Sequence, residues 1–229
     1  KLAYTYLLQL IEKLTSNDHI KILVVDNSDP ARQYLIKLLQ RHNYHVLDAA
    51  CGVEAMEIIE QHPDIKLVIT AKEMANMDGI DLCNEIRSQY SREEISIIGL
   101  SESDDQSFTA KFIKNGANDF LKRPFCLEEF YCRVIQNIDY IESIETIKRQ
   151  ANSDYLTGLY NRRYFFETIG PIISENKLTN TNATLAMLDI DNFKSINDSY
   201  GHDAGDEVLK ASTELMAKCF ANNVIVARL

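Results

Sequence analysis

Ile22-Leu23-Val24-Val25-Asp26, followed by Asn27-Ser28-Asp29-Pro30, decides the fold of this chain. Four consecutive apolar residues, three of them β-branched, describe a strand buried on both faces, because a half-exposed strand would alternate. The run stops at an acid. Asp29-Pro30 then opens a helix, with Asp29 expected as N-cap and Pro30 in the first turn. The same beat repeats outward from this unit. Helix 31–41 leads to strand 44–49, helix 53–61 to strand 67–70, helix 80–89 to strand 95–100 and helix 106–114 to strand 120–121. A last helix starts near Leu127.

Apolar strands separated by amphipathic helices predict an α/β fold, a doubly wound parallel sheet of flavodoxin-like type covered on both faces. Ligands of such sheets sit at the carboxyl ends of the strands, which singles out Asp26, Thr70, Ala71 and Ser101. The helix after Leu127 meets no Gly or Pro before Asn152. Along it Val134, Ile138, Ile141, Ile144 and Ile147 recur at three- and four-residue steps. That stripe predicts a linker that pairs two copies of the chain as a short parallel coiled coil; a solvated connecting helix is the alternative.

A second pattern begins at Asp154. It predicts helix 163–169, a polar loop 176–181, strand 184–189, helices 193–200 and 207–220, and strand 224–229. A separate stripe, Leu2, Tyr6, Leu7, Leu10, Ile11 and Leu14, predicts an N-terminal helix. The organisation is therefore 1–19 as a leading helix, 20–138 as the doubly wound domain, 128–152 as the continuing linker helix and 153–229 as a second domain.

With a net charge of −10 and no dense Lys/Arg block, the surface repels phosphate backbones, which argues against nucleic-acid binding. No apolar run approaches the roughly 20 residues needed to cross a bilayer, so no membrane partner is expected. The five cysteines are scattered and form no CxxC pair, as expected of thiols in a reducing cytoplasm. Leu2 to Leu14 carries Gln9, Glu12 and Lys13 and makes a poor signal peptide. Lys1 is not a natural start, so the chain is expected to begin inside a longer protein.

Across 21–140 the chain resembles the response-regulator receiver family. The matching pieces are Ile-Leu-Val-Val-Asp at 22–26, Met77-Asp78-Gly79, Ser101 after the fourth strand, and Lys122-Arg123-Pro124-Phe125 after the fifth. The resemblance implies an Asp nucleophile at the end of the third strand, an acidic pair on the first strand that helps hold Mg²⁺, and a Lys before Pro. Here the nucleophile position, counted back from Met77-Asp78-Gly79, is Ala71. The second acidic position is Asn27, and the Lys position is Arg123. Asp26 and Ser101 remain. The expectation is a degenerate receiver that takes no phosphate, and the family pattern implies a cis Arg123–Pro124 bond.

From Asp154 the chain resembles the GGDEF diguanylate cyclase family. The opening motif Asp154-Tyr155-Leu156-Thr157-Gly158-Leu159-Tyr160-Asn161-Arg162-Arg163 is complete, and the segments 188–198 and 200–206 match the family's nucleotide-binding region. The resemblance implies the N-terminal part of a GGDEF α/β domain of the nucleotidyl-cyclase, palm-like type, joined to the receiver by the long helix. It assigns Asp189 and the Ile190 carbonyl to Mg²⁺. It assigns Phe193, through the backbone N–H groups of 192–194, and Lys194 to phosphate, and Asn197 and Asp206 to the guanine edge of GTP. His202 is expected to hydrogen-bond its turn, and Arg162 and Arg163 to tie the opening motif to the domain. The Gly-Gly-Asp/Glu-Glu-Phe signature, expected to follow Leu229, is not among the 229 residues, so the catalytic carboxylates are unassigned and the chain alone is expected not to turn over.

The resulting expectation is a signalling protein whose full-length form makes cyclic-di-GMP from two GTP, using Mg²⁺. Its expected partners are a second copy, through receiver and linker, and an upstream receiver or histidine kinase. The alternatives are a GGDEF module that binds GTP or cyclic-di-GMP without catalysis, and a purely structural pairing adaptor. The family's Arg-x-x-Asp inhibitory tetrad falls on Ala221-Asn222-Asn223-Val224, which lacks both groups, so feedback inhibition through it is not expected.

Overall fold

The structure, a computed structural model, describes residues 17–74, 76–102, 106–179, 182–220 and 224–229. The predicted helix over 2–14 and most of the 221–224 tetrad lie outside them. The chain divides into two compact units, Lys1–Ile144 and Glu145–Leu229.

The first unit is a five-stranded parallel sheet in the order β2-β1-β3-β4-β5. Its strands are β1 (Lys21–Val25), β2 (His45–Ala49), β3 (Ile65–Ala71), β4 (Ser96–Ser101) and β5 (Asp119–Lys122). The helices between them are α1 (Asp29–Gln40), α2 (Gly52–Gln61), α3 (Gly79–Gln89) and α4 (Gln106–Lys114), and α5 (Leu127–Asn152) follows β5. Two apolar layers clothe the sheet. One packs Ile22, Val24, Leu67 and Ile69 against α1 and α5, and the other packs Leu23, Val25, Val68 and Ile97 against α2, α3 and α4. Alternate residues of each strand thus feed opposite layers, as a doubly wound sheet requires.

Helix α1 starts one residue earlier than expected. Its N-cap is Ser28, whose side chain accepts from the Ala31 N–H, and Asp29 is already helical. Asp29 instead pairs with Arg32 at 2.9 Å, which removes it from the cap. Gly79 opens α3 where a Cβ would strike the Ala71 carbonyl oxygen and lie 3.1 Å from Phe112. The absent side chain lets the loop after β3 return to the sheet.

The linker stripe needs correction. Val134, Ile138 and Ile141 are fully buried in the first unit, the first two of them packed beside Phe130 against the sheet. They belong to the receiver-type core, and the same three- and four-residue steps that suit a coiled coil also suit a helix lying on a sheet. Only the end of the stripe is open: Ile144 is half-buried and Ile147 is 59% exposed.

The second unit holds α6 (Arg162–Thr179), α7 (Phe193–Tyr200) and α8 (His202–Cys219), with β6 (Tyr160–Asn161) pairing in parallel with β7 (Ala227–Arg228). Helix α6 runs on through Pro171 rather than ending near Ile169. One proline deletes a single backbone bond, which a helix can absorb. The predicted strand 184–189 does not form; residues 182–190 adopt no regular secondary structure, and Leu185, Met187 and Leu188 are exposed. A strand is completed by a neighbour's backbone, and no ladder partner lies alongside this segment among the described residues. The predicted strand 224–229 shortens to β7 for the same reason.

Candidate functional site

At the carboxyl edge of the first sheet, Asp26 follows β1 and is 2% exposed. Its Oδ1 accepts from the Ser28 N–H at 2.9 Å, and its Oδ2 accepts from Arg123 at 2.8 Å. Arg32 donates to the Asp26 carbonyl at 2.8 Å and to Asp48 at 2.8 Å, walling the same corner. Ala71 ends β3, buried, with a methyl group where a carboxylate would be needed. Ser101, also buried, ends β4, and its carbonyl accepts from the Arg123 N–H at 2.9 Å. Arg123–Pro124 is a cis peptide. The edge therefore brings Asp26, Ala71, Ser101 and Arg123 together, with Asn27 exposed at its rim. Lys122 is exposed while its neighbour Leu121 is buried, so the two alternate across the sheet.

Mg²⁺ does not fit this edge. A hard cation needs anionic oxygens, and the one buried carboxylate already has a guanidinium at contact distance. Asn27 and Ala71 supply no further charge. The Asp26–Arg123 pair and the Arg32 brace were not legible in the sequence, because both depend on which loops converge.

In the second unit the opening motif is a clasp. Asp154 Oδ1 accepts from the Thr157 N–H at 3.0 Å, the Thr157 hydroxyl at 2.7 Å and Arg228 at 2.9 Å. Burial by itself would raise the Asp154 carboxyl, but the bonds from Thr157 and Arg228 outweigh it and hold it below its ordinary value. Asn161 donates to the Ala151 carbonyl at 2.8 Å, and Arg163 reaches the same carbonyl at 2.8 Å. These bonds cap the orphan carbonyls at the end of α5. The Arg163 contact is a tie within the opening motif; Arg162 lies 5.4 Å over the Phe166 ring.

The segment expected to bind nucleotide runs from an exposed Asp189 through a turn into α7, a sharp break at Gly201, and α8. Asn192 caps α7 in the left-handed conformation at φ 56°, and Gly201 joins the two helices at φ 88°. The Ile190 carbonyl accepts from the Phe193 N–H at 3.3 Å. That bond takes one of the N–H groups expected to face phosphate. Asp189, Asp191 and Lys194 are exposed, and Asn197 and Asp206 are half-buried. Asn197 packs against Gly205, the residue before Asp206, so the two expected base-reading groups come from adjoining faces of α7 and α8. His202 is the first residue of α8.

Among the described residues no group of three or more His, Cys, Asp or Glu converges as a metal cage. The donor chemistry near Asp189 nevertheless suits Mg²⁺, which commonly takes one or two carboxylates and completes its shell with water and substrate phosphates.

The sheet order β2-β1-β3-β4-β5 and the strand-end cluster define a receiver-type fold, which the long helix α5 carries into a second α/β unit. Residues 22–135 match the response regulator receiver domain family, and residues 151–229 match the family described as diguanylate cyclase, GGDEF domain. The chain belongs to the response regulator receiver family and continues into a GGDEF domain.

Among curated relatives, the chain is 30% identical to the response regulator PleD of Caulobacter vibrioides over 206 residues, 83% of this chain and 43% of PleD. It is 36% identical to the chemotaxis protein CheY1 of Helicobacter pylori over 107 residues, 46% of this chain and 86% of the relative. A solved two-component system response regulator/GGDEF domain protein shares 39% identity with a TM-score of 0.57, covering 60% of this chain and 56% of that one. A receiver domain protein from Clostridium thermocellum shares 25% identity with a TM-score of 0.52, covering 55% of this chain and 98% of that one. The chain thus spans less than half the length of PleD. No described helix is long and apolar enough to cross a membrane.

Proposed function

We propose that the chain is the receiver and nucleotide-recognition part of a diguanylate cyclase, and that its receiver serves as an adaptor and pairing surface rather than a phosphate sensor. The observation that carries this reading is the segment 189–206, folded as turn, helix, glycine break and helix, with Asn197 seated beside the Gly205-Asp206 step. An amide and a carboxylate side by side can accept and donate along the edge of guanine.

In this reading Asp189 and the Ile190 carbonyl hold Mg²⁺, which when bound offsets phosphate charge. Lys194 and the first-turn N–H groups of α7 meet phosphate oxygens. Asn197 and Asp206 orient the base, and with it the ribose. The full-length protein then joins two GTP held on two copies. Each 3′-hydroxyl oxygen bonds to the other nucleotide's α-phosphorus, the hydroxyl proton leaves to a base or solvent, and each bond to pyrophosphate breaks.

The side chains at the first sheet's edge support the adaptor role. Ala71 has no lone pair to attack a phosphoryl group, and Arg123 neutralises Asp26 from within. Pairing through the first unit and the open end of the linker stripe, Ile144 and Ile147, would bring the two nucleotide sites together. The test is cyclic-di-GMP formation from GTP and Mg²⁺ by the full-length gene product, beside GTP binding by this chain. Product formation supports the reading. GTP binding without product points to a non-catalytic module, and neither leaves only a structural adaptor.

A further inference from the structure

Among the described residues, the second unit keeps one buried side-chain polar atom that its fold does not satisfy. The side-chain Oδ1 of Asn197, on α7, is buried and has no hydrogen-bond partner among the described residues. Buried polar atoms are nearly always paired, so an unpaired one calls for an explanation.

What makes room for it is Gly205, on α8. A Cβ built on Gly205 would fall on Asn197 Oδ1 and lie 3.0 Å from its Cγ and 3.3 Å from Phe193 Cζ. Gly205 is buried and lies inside the helix. Gly201 is different: there φ is 88° and the backbone itself calls for glycine. At 205 the backbone is ordinary and glycine is a poor helix former, so the requirement is space.

We infer that Gly205 is a positioning residue for base recognition: its missing side chain lets the Asn197 amide lie against α8, next to Asp206, so that both groups present one polar edge. The inference rests on the reading of Asn197 and Asp206 as the guanine-recognition pair. It also makes an unusual demand on a substitution. The atom in the way is the end of a flexible side chain, so Gly205→Ala displaces the Asn197 amide rather than the backbone. Alanine also favours the helix. Recognition should fall while stability holds or rises.

The experiment is calorimetric titration of this chain with GTP and with ATP, in Mg²⁺, for the wild type, Gly205→Ala, Asn197→Ala and the double variant. Helix melting is followed by circular dichroism. Wild type should prefer GTP. Gly205→Ala should lose roughly tenfold in GTP affinity, as expected when one partner of a polar edge is withdrawn. Its ATP affinity and melting temperature should not fall. In the Asn197→Ala background, Gly205→Ala should cost nothing more.

An unchanged GTP preference in Gly205→Ala, or an equal loss in both backgrounds, overturns the inference while leaving the base-reading pair intact. If Gly205→Ala fails to fold, the double variant, which removes the obstructing amide, must fold; if it does not, the inference is overturned. A wild type that does not prefer GTP over ATP refutes the base-reading pair itself, and the inference with it.

Discussion

Asp26 and Asp189 both close an apolar run, and the two units treat them in opposite ways. Asp26 is 2% exposed and bonded to Arg123 at 2.8 Å, whereas Asp189 lies exposed at the start of the turn before α7. A carboxylate neutralised inside the fold is unavailable to a metal ion or phosphate. A carboxylate left to solvent keeps that capacity. On the proposed reading, this difference assigns the chemistry to the second unit, although the first has the better-formed sheet.

The most damaging way to test that contrast is to remove Asp189. In the full-length gene product, Asp189→Asn should reduce Mg²⁺-dependent cyclic-di-GMP formation by about 10³-fold, the several kcal/mol that a bound ion contributes to developing charge. Undiminished turnover would show that Asp189 is no metal ligand. Asp26→Asn should leave turnover per folded protein unchanged, since its carboxylate is already spent on Arg123.

Ile141→Lys sharpens the boundary between core and linker. Ile141 is fully buried, so a lysine there should destabilise the first unit by about 3–5 kcal/mol in urea denaturation. Ile147→Lys, at a 59% exposed position, should leave stability unchanged and lower the mass seen by light scattering if the stripe's end pairs two copies. A wild-type mass from Ile147→Lys would show that the end of the stripe pairs no copies.

Arg123→Ala leaves the Asp26 carboxylate buried without its cation, at a cost of about 3 kcal/mol. The double variant with Asp26→Ala should cost less than the sum of the two single changes. Additive losses would mean that the pair is not coupled. In the wild-type chain, incubation with acetyl phosphate and Mg²⁺ should leave the intact mass unchanged, and Ala71→Asp alone should not restore phosphate uptake, because Arg123 and Asn27 remain.

The smallest effect belongs to pH. The Asp154 carboxyl is held below its ordinary value of 3.8 in the fold. Its folded pKa is depressed, so its contribution is present above the unfolded value and lost as pH falls through the folded one. The second unit should therefore lose stability in acid, and Asp154→Asn should blunt that loss when melting is followed from about pH 5 downward.

Much of the first unit was legible in its sequence. The run at 22–25 identified a two-face strand, and Leu127 onward read correctly as one helix to Asn152. The strand-end residues followed from the fold. The second unit was less legible, because a strand such as 184–189 is a statement about a neighbour, and periodicity within one segment says nothing of what lies beside it.

The sequence by itself determined the parallel sheet, the presence of Ala71 and Asn27 at two strand ends, and the membership of both domains. Those are local facts: residue type, period and motif spacing. Only the tertiary structure decided that Arg123 neutralises Asp26 across 97 positions, that Arg228 grips Asp154 across 74, that Ile141 is core rather than seam, and that Asn197 leans on Gly205. Each depends on which loops and helix faces converge. Coulombic and hydrogen-bonding contacts act over a few ångströms of space whatever their separation along the chain.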